Sequence, residues 1–398
     1  MFKWLMLFVY ILLSTYILWR MIHWFKIVTP LFRYKRTQAV WIGLFVLMDS
    51  TLFWGVFLPH SAFQTLIRKV SNIWLAFFLF VLTFIIFADI IVLVLKCIHR
   101  RHAIGVLKKR WCALLLGVSV GVCGLGFTVY GSIHARHIIT QSYDVTVQKQ
   151  VDGIDTLNMV LVADLHMGYS IGCKEIQHMA DQINAMQPDI VLYAGDIFDN
   201  DYDALDDDQA LIEILKGIKA TYGSYAVYGN HDVTEKLVGG FSTSTLSHAF
   251  RDIRMEKFLD AANIHVLTDD VLSVADGQIQ IIGRLDGEKA GDGTKNRAAL
   301  STLIAECDQS KPIILLNHEP NGLQEAADEG VDLMLCGHTH AGQFFPLTIV
   351  QPLAWENYWG IKKIDNMYSI VTSGIGVYGP AVRVGTNSEV MQIKVHFE

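Results

Sequence analysis

Five short polar clusters between Asp164 and His340 carry residue types that bind metal ions: DLH (164–166), GDIFD (195–199), GNHD (229–232), NHE (317–319) and GHTH (337–340). Asp164 and His166 stand two apart, as do His338 and His340, so on an extended chain each pair faces one way. Asp196 offers a carboxylate that can bridge two cations, one oxygen to each. Asn230 adds an amide oxygen and His318 an imidazole. Mixed carboxylate, amide and imidazole ligation suits Mn, Fe or Zn better than Ca or Mg. A single buried His or Asp is ordinarily a satisfied core residue, but five clusters in equivalent places are not explained that way.

Each cluster closes an apolar run: LNMVLVADLH, DIVLYAGD, SYAVYGNHD, PIILLNHEP and VDLMLCGHTH. Runs of this length, rich in Leu and β-branched residues, predict buried strands of an α/β sheet, and strand ends are where such sheets gather chemistry. Gly337 and Gly342 let the backbone pass close to the ions.

The rest of the chain divides in two. Residues 1–143 carry 15 Lys and Arg against two acids, whereas residues 144–398 carry 17 against 37, net −20. The mean hydropathy of +0.33 comes from the first third, where four apolar stretches, about 4–25, 38–59, 73–96 and 111–133, are each long enough to span a bilayer. Six tryptophans near their ends fit interfacial anchors. The expected division is a four-helix transmembrane region over 1–135 and a catalytic domain over 144–398.

Positive charge sets the expected orientation. The first connection holds Arg20, Lys26, Arg33, Lys35 and Arg36, and the third Lys96, Arg100, Arg101, Lys108, Lys109 and Arg110; between them lie only Arg68 and Lys69. The basic connections belong inside, which puts the N-terminus and everything after Ile133 on the extracytoplasmic face of the cell membrane. Asp49 and Asp89 fall inside spans, where a charge costs ~2.5–3.5 kcal/mol, so each is expected to pair with a neighbouring helix or to mark a polar site.

DxH, GDxxD, GNHD, NHE and GHTHAGQ, in this order, resemble the calcineurin-like metallophosphoesterase superfamily, over about residues 155–395. The resemblance implies two packed mixed β-sheets flanked by helices. It implies that Asp164, His166, Asp196 and His340 hold one metal, and Asp196, Asn230, His318 and His338 the other. His231 then stands beside the scissile phosphate and Asp199 orients it. Two cations would activate a water for in-line attack on phosphorus, and His231, a non-ligand His inside a motif, would protonate the leaving alkoxide. Protein Ser/Thr phosphatases resemble GDxVDRG and GNHE; here Asn200 and Asp201 follow Asp199, and Asp232 replaces the Glu, which argues against a phosphoprotein substrate. The GHTHAGQ, NYWGIK and SGIGVYGPAVRVG segments are similar to those of membrane-associated bacterial phosphoesterases.

Outside the clusters, Arg383 is a candidate phosphate contact, because a guanidinium binds phosphate in a bidentate way, with a surface salt bridge as the alternative. The six cysteines form no disulfide pattern and read as structural thiols, with Cys336 pointing into the core. The six aspartates of 199–208 lack the Gly and Glu of a calcium loop and read as a solvated loop. A domain of net −20 excludes nucleic acid as a partner, since binding it rests on neutralising phosphates. No protein partner is evident. The expectation is a membrane-anchored phosphoesterase acting on a phosphodiester, phosphomonoester or phosphoanhydride, lipid- or envelope-linked; the alternative is a membrane sensor or scaffold whose domain binds metal without turnover.

Overall fold

The computed structural model describes residues 2–107 and 109–398; Met1 and Lys108, the latter among the basic residues of the third connection, lie outside the described residues. Two compact units are present: one holds the chain up to Ser132 together with Leu237–Thr243 and Gly379–Ala381, the other holds Ile133–Lys236, Ser244–Tyr378 and Val382–Glu398.

In the first unit the helices are α1 (Phe2–Val28), α2 (Lys35–Phe57), α3 (Ala62–Cys97), α4 (Arg101–Leu107) and α5 (Arg110–His134). Among the described residues α1, α2, α3 and α5 are long and apolar enough to cross a membrane. Their lipid-type side chains are exposed, as for Phe8, Leu47, Leu93 and Val122, while Ile17, Phe45, Phe78 and Val81 pack inward. α3 begins eleven residues before the apolar stretch that announced it, so Arg68 and Lys69 are helical rather than part of a connection. Ser61 caps it by accepting from the Gln64 amide at 3.2 Å. The two acids inside the spans are both engaged: Asp49 accepts from the Tyr10 hydroxyl at 2.6 Å and the Trp74 indole at 3.2 Å, and Asp89 from the Tyr16 hydroxyl and from Arg20 at 2.6 Å. All six cysteines are free thiols.

The second unit runs, in chain order, through β1 (Ile138–Val147), β2 (Thr156–Val162), α6 (Cys173–Met186), β3 (Ile190–Ala194), α7 (Asp208–Lys216) and β4 (Ser224–Val227). A two-stranded hairpin, β5 (Leu237–Val238) and β6 (Phe241–Ser242), belongs to the helical unit. There follow α8 (Ile253–Ala261), β7 (Ile264–Val266), β8 (Asp270–Val274), β9 (Ile279–Gly283), α9 (Leu300–Ile304), β10 (Ile313–Leu316), α10 (Leu323–Asp328), β11 (Leu333–Cys336), α11 (Leu347–Ala354), β12 (Gly360–Ile364), β13 (Met367–Val371) and β14 (Ser388–Phe397).

The strands form two six-stranded mixed sheets, ordered β1-β14-β2-β3-β4-β7 and β12-β13-β11-β10-β9-β8. β2, β3, β4 and β7 are parallel, as are β9, β10, β11 and β13; β14 runs antiparallel to β2. Period-two alternation sends Leu157, Met159 and Leu161 of β2, Ile190 and Leu192 of β3, Ile314 and Leu316 of β10, and Leu333 and Leu335 of β11 into one shared core. The alternate residues Ile313, Leu315 and Met334 pack on the opposite face against Leu300 and Leu303 of α9 and Leu323 of α10. α6 buries Ile176, Met179 and Ile183 against the domain, completing the expected helix, sheet, sheet, helix layering.

Candidate metal centre

All five clusters follow the C-terminal ends of parallel strands: Asp164 and His166 after β2, Asp196 and Asp199 after β3, Asn230 and His231 after β4, His318 after β10, His338 and His340 after β11. Both sheets contribute, and their shared end brings the clusters together. The chain is not extended at the ligands, as the two-residue spacing suggested. Asp164, His166, Asp196, His338 and His340 all have φ between 46° and 72°. This left-handed backbone costs L residues ~1–2 kcal/mol each and turns the chain sharply, so successive ligands aim inward. Close approach demands glycine beside them: a Cβ on Gly229 would meet Asp196 Oδ1 at 2.2 Å, and one on Gly374 (φ +79) would meet Asp164 Cβ at 2.6 Å.

The ligand atoms converge in two groups that share Asp196. In one, His166 Nε2 lies 3.0 Å from His340 Nε2, His340 Nε2 lies 3.6 Å from Asp164 Oδ1, and His166 Nε2 lies 3.7 Å from Asp196 Oδ2. In the other, His318 Nε2 is 3.1 Å from both Asp196 Oδ2 and Asn230 Oδ1, and His338 Nδ1 is 3.1 Å from Asn230 Oδ1 and 3.3 Å from His318 Nε2. His318 Nδ1 donates to the Ala194 carbonyl at 2.7 Å, which fixes the ring and leaves Nε2 free to ligate. Asp164 accepts from the His338 amide and Asp196 from the His231 amide, so the loops hold one another's carboxylates.

Imidazole nitrogens, carboxylate oxygens and one amide oxygen facing each other at 3.0–3.7 Å, all buried or nearly so, form a donor set suited to two divalent cations. Electrostatics points the same way. Burial pushes Asp164 up to about 6. His338 is pushed down to about 3 by burial and by the His318 charge, and burial lowers His340 as well, with the His166 and Arg383 charges adding to it. His318 and Asp196 form a tight pair in which burial is outweighed by mutual attraction, raising the imidazole and lowering the carboxyl. Cations would displace the protons this cluster otherwise holds.

Asp199 Oδ1 sits between two rings, 3.5 Å from His166 Nδ1 and 3.7 Å from His231 Nδ1. The two imidazoles overcome burial and keep this carboxyl below the usual range. The expectation linked Asp199 to His231 alone; it lies as close to His166. His231 stands edge-on to His166 at 4.8 Å, and His166, Asp196 and His231 also offer atoms that could surround one ion.

Arg383 requires a correction. It is fully buried, and its guanidinium donates to the carbonyls of Ser373 (2.6 Å), Gly376 (2.7 Å) and Gly374 (3.2 Å), with His340 Nδ1 at 3.4 Å. Complete burial keeps the guanidinium away from solvent, and the terminal nitrogen spent on three carbonyls shapes the loop behind His340. Cys336 lies in the apolar cluster under α9 and α10, away from the ligands. Three residues that the spacing did not single out stand at the site. Asp232 accepts from the Gly229 and Phe198 amides at 2.7 and 2.8 Å and ties two ligand loops together. The half-buried Tyr378 ring lies 5.3–6.0 Å from His340, His231 and His166. Trp355 meets His338 edge-on at 5.3 Å. Asp232 had a signal in its place within GNHD, and Tyr378 a weaker one in the glycine-rich SGIGVYG stretch, where a tyrosine ordinarily serves packing.

Residues 157–342 match the family model of the calcineurin-like phosphoesterases. The chain is 31% identical over 280 residues to a Danio rerio transmembrane protein with metallophosphoesterase domain, covering 67% of this chain and 59% of that relative. To the Bos taurus protein of the same description it is 26% identical over 362 residues, covering 84% and 78%. To an uncharacterized metallophosphoesterase of Campylobacter jejuni it is 26% identical over 398 residues, covering 98% and 96%. The chain thus spans about three fifths of the zebrafish relative's length. With the ligand loops and strand order already described, these matches identify residues 157–342 as a calcineurin-like phosphoesterase domain.

Proposed function

We propose that this chain is a multi-pass membrane phosphoesterase that hydrolyses a phosphodiester, phosphomonoester or phosphoanhydride carried by a lipid or another envelope compound, with its domain on the extracytoplasmic side. The observation that carries the reading is the convergence of Asp164, His166, Asp196, Asn230, His318, His338 and His340 into two groups joined at Asp196. When bound, two divalent cations, Mn, Fe or Zn, supply Lewis-acid charge and an activated water.

The protein's own residues do the rest. Asp164, His166, Asp196 and His340 would hold one cation, and Asp196, Asn230, His318 and His338 the other. His231 lies at the rim, with about a tenth of its side chain open, and delivers a proton from its ring to the leaving alkoxide. Asp199 holds that ring through Nδ1, which leaves Nε2 facing the substrate. Tyr378 packs against three imidazoles and excludes water from that side. The lipid-linked substrate rests on the four apolar helices, which tether the domain to a bilayer.

The test is a screen of the full-length protein in detergent or nanodiscs against phospholipids, lipid pyrophosphates and nucleotide-linked lipids, scored for the phosphate species released. Metal-dependent release from one class supports the reading. Binding of metal with no release from any of them, nor from a generic aryl phosphodiester, favours a sensor.

A further inference from the structure

The segment that follows the GHTH ligand loop is out of keeping with the domain that carries it. From Phe344 to Trp355 the chain reads FFPLTIVQPLAW, without one charged residue, in a domain of net −20. Its helix, α11, buries none of its residues. Leu353 is 85% exposed, Ile349 60% and Val350 53%, with Phe345 and Leu347 beside them. In the second unit beyond α5, every exposed large apolar side chain except Phe250 and Ile253 lies between Phe345 and Ile361. Concentrations of this kind mark an interaction surface.

We propose that α11 and its flanks dock in the surface of the same bilayer that holds the spans, and so bring the metal centre to lipid substrates. The residues around the helix are those of an interfacial anchor. Trp355 and Trp359 follow it, then Lys362, paired with Glu356 at 3.1 Å, and Lys363, which puts aromatic and basic groups beside the apolar helix as at a bilayer interface. Eight residues are far too few to cross ~30 Å of hydrocarbon, so the helix lies in the surface plane. The bilayer is the occupant because the chain reaches it: only Ala135–His137 separate α5 from β1, a link of roughly 14 Å at full extension.

The surface is built onto the centre. A Cβ on Gly342, directly after the His340 turn, would meet the Thr348 amide at 2.7 Å, so the start of α11 is held against the ligand loop. At the far end the Trp355 ring lies against His338. A lipid whose acyl chains stay beside Ile349 and Leu353 would present its headgroup phosphate between those two ends. This consequence rests on the phosphoesterase reading; the docking itself does not.

The test uses the full chain in vesicles of neutral and anionic phospholipid containing an acyl-chain diazirine lipid, with labelled peptides mapped by mass spectrometry. Residues 345–354 are expected to label as α1, α2, α3 and α5 do. Ile349→Asp with Leu353→Asp should lower labelling of the segment about tenfold, and Leu353→Phe should retain it. Labelling confined to the four spans, or Leu353 crosslinking to a second copy of the chain in place of lipid, overturns the proposal. Because labelling does not depend on turnover, its failure is distinct from failure of the enzymatic reading. If both hold, the double variant loses hydrolysis of a vesicle-borne lipid phosphate while a soluble aryl phosphodiester is cleaved as before.

Discussion

Asp199 Oδ1 lies 3.5 Å from His166 Nδ1 and 3.7 Å from His231 Nδ1, which links a ligand histidine and the proposed acid through one carboxylate. His231→Ala should leave two metals bound and lower turnover by about 10²-fold or more, checked by metal analysis beside steady-state rates. Loss of a metal would make His231 a ligand, which its place beside His166 and Asp196 also permits. Asp199→Asn, by contrast, should lower turnover and weaken metal binding together, because it frees His166 as well. Asp164 sets the pH dependence. Its metal-free carboxyl, pushed up to about 6 by burial, carries a proton below that pH, and a cation must displace it. Apparent metal affinity should therefore fall steeply as pH drops from 7 towards 5, measured by titration at fixed ionic strength; affinity that rises on acidification would contradict the ligand role. Arg383→Met should cost ~1–3 kcal/mol of stability by leaving loop carbonyls unpaired, with KM little changed, read by denaturant melts and kinetics.

At the scale of elements, the placement of the five polar loops after strand ends was legible and their backbone conformation was not. Asp164, His166, Asp196, Asn230, His318, His338 and His340 could be named because few residue types bind these cations and each follows a recognisable strand. Their left-handed backbone had no sequence mark except the adjoining glycines. Gly229→Ala should displace the Asp196 carboxylate, 2.2 Å from the new Cβ, and reduce metal content more than fold stability. The start of α3 escaped because Arg68 and Lys69 break the apolar pattern; Ser61 and Gln64, spaced as in a capping box, were the available signal. Arg383 was misread because a guanidinium serves carbonyls as well as phosphate, and spacing cannot tell which it faces. Tyr378 and Trp355 lie in irregular loops, where an aromatic residue carries no mark of its partners. Along the spans, Asp89→Ala should leave Arg20 without its carboxylate and lower the melting temperature in detergent by the equivalent of about 1–2 kcal/mol.

For the whole molecule, a net-negative domain with clustered metal-binding side chains is joined to four helices long and apolar enough to cross a membrane. The proposed orientation rests on eleven basic residues in two connections and the helix ends that flank them, and protease added to intact cells tests it: the domain should be cut, and a protected domain would place the centre in the cytoplasm. The centre itself is tested most directly by adding Mn stepwise to metal-free full-length protein while following hydrolysis of an aryl phosphodiester. Activity should stay low through the first equivalent, rise through the second and be absent in Asp196→Asn, which removes the shared carboxylate. Activity complete at one equivalent, or no activity with two metals bound, would contradict a dinuclear phosphoesterase.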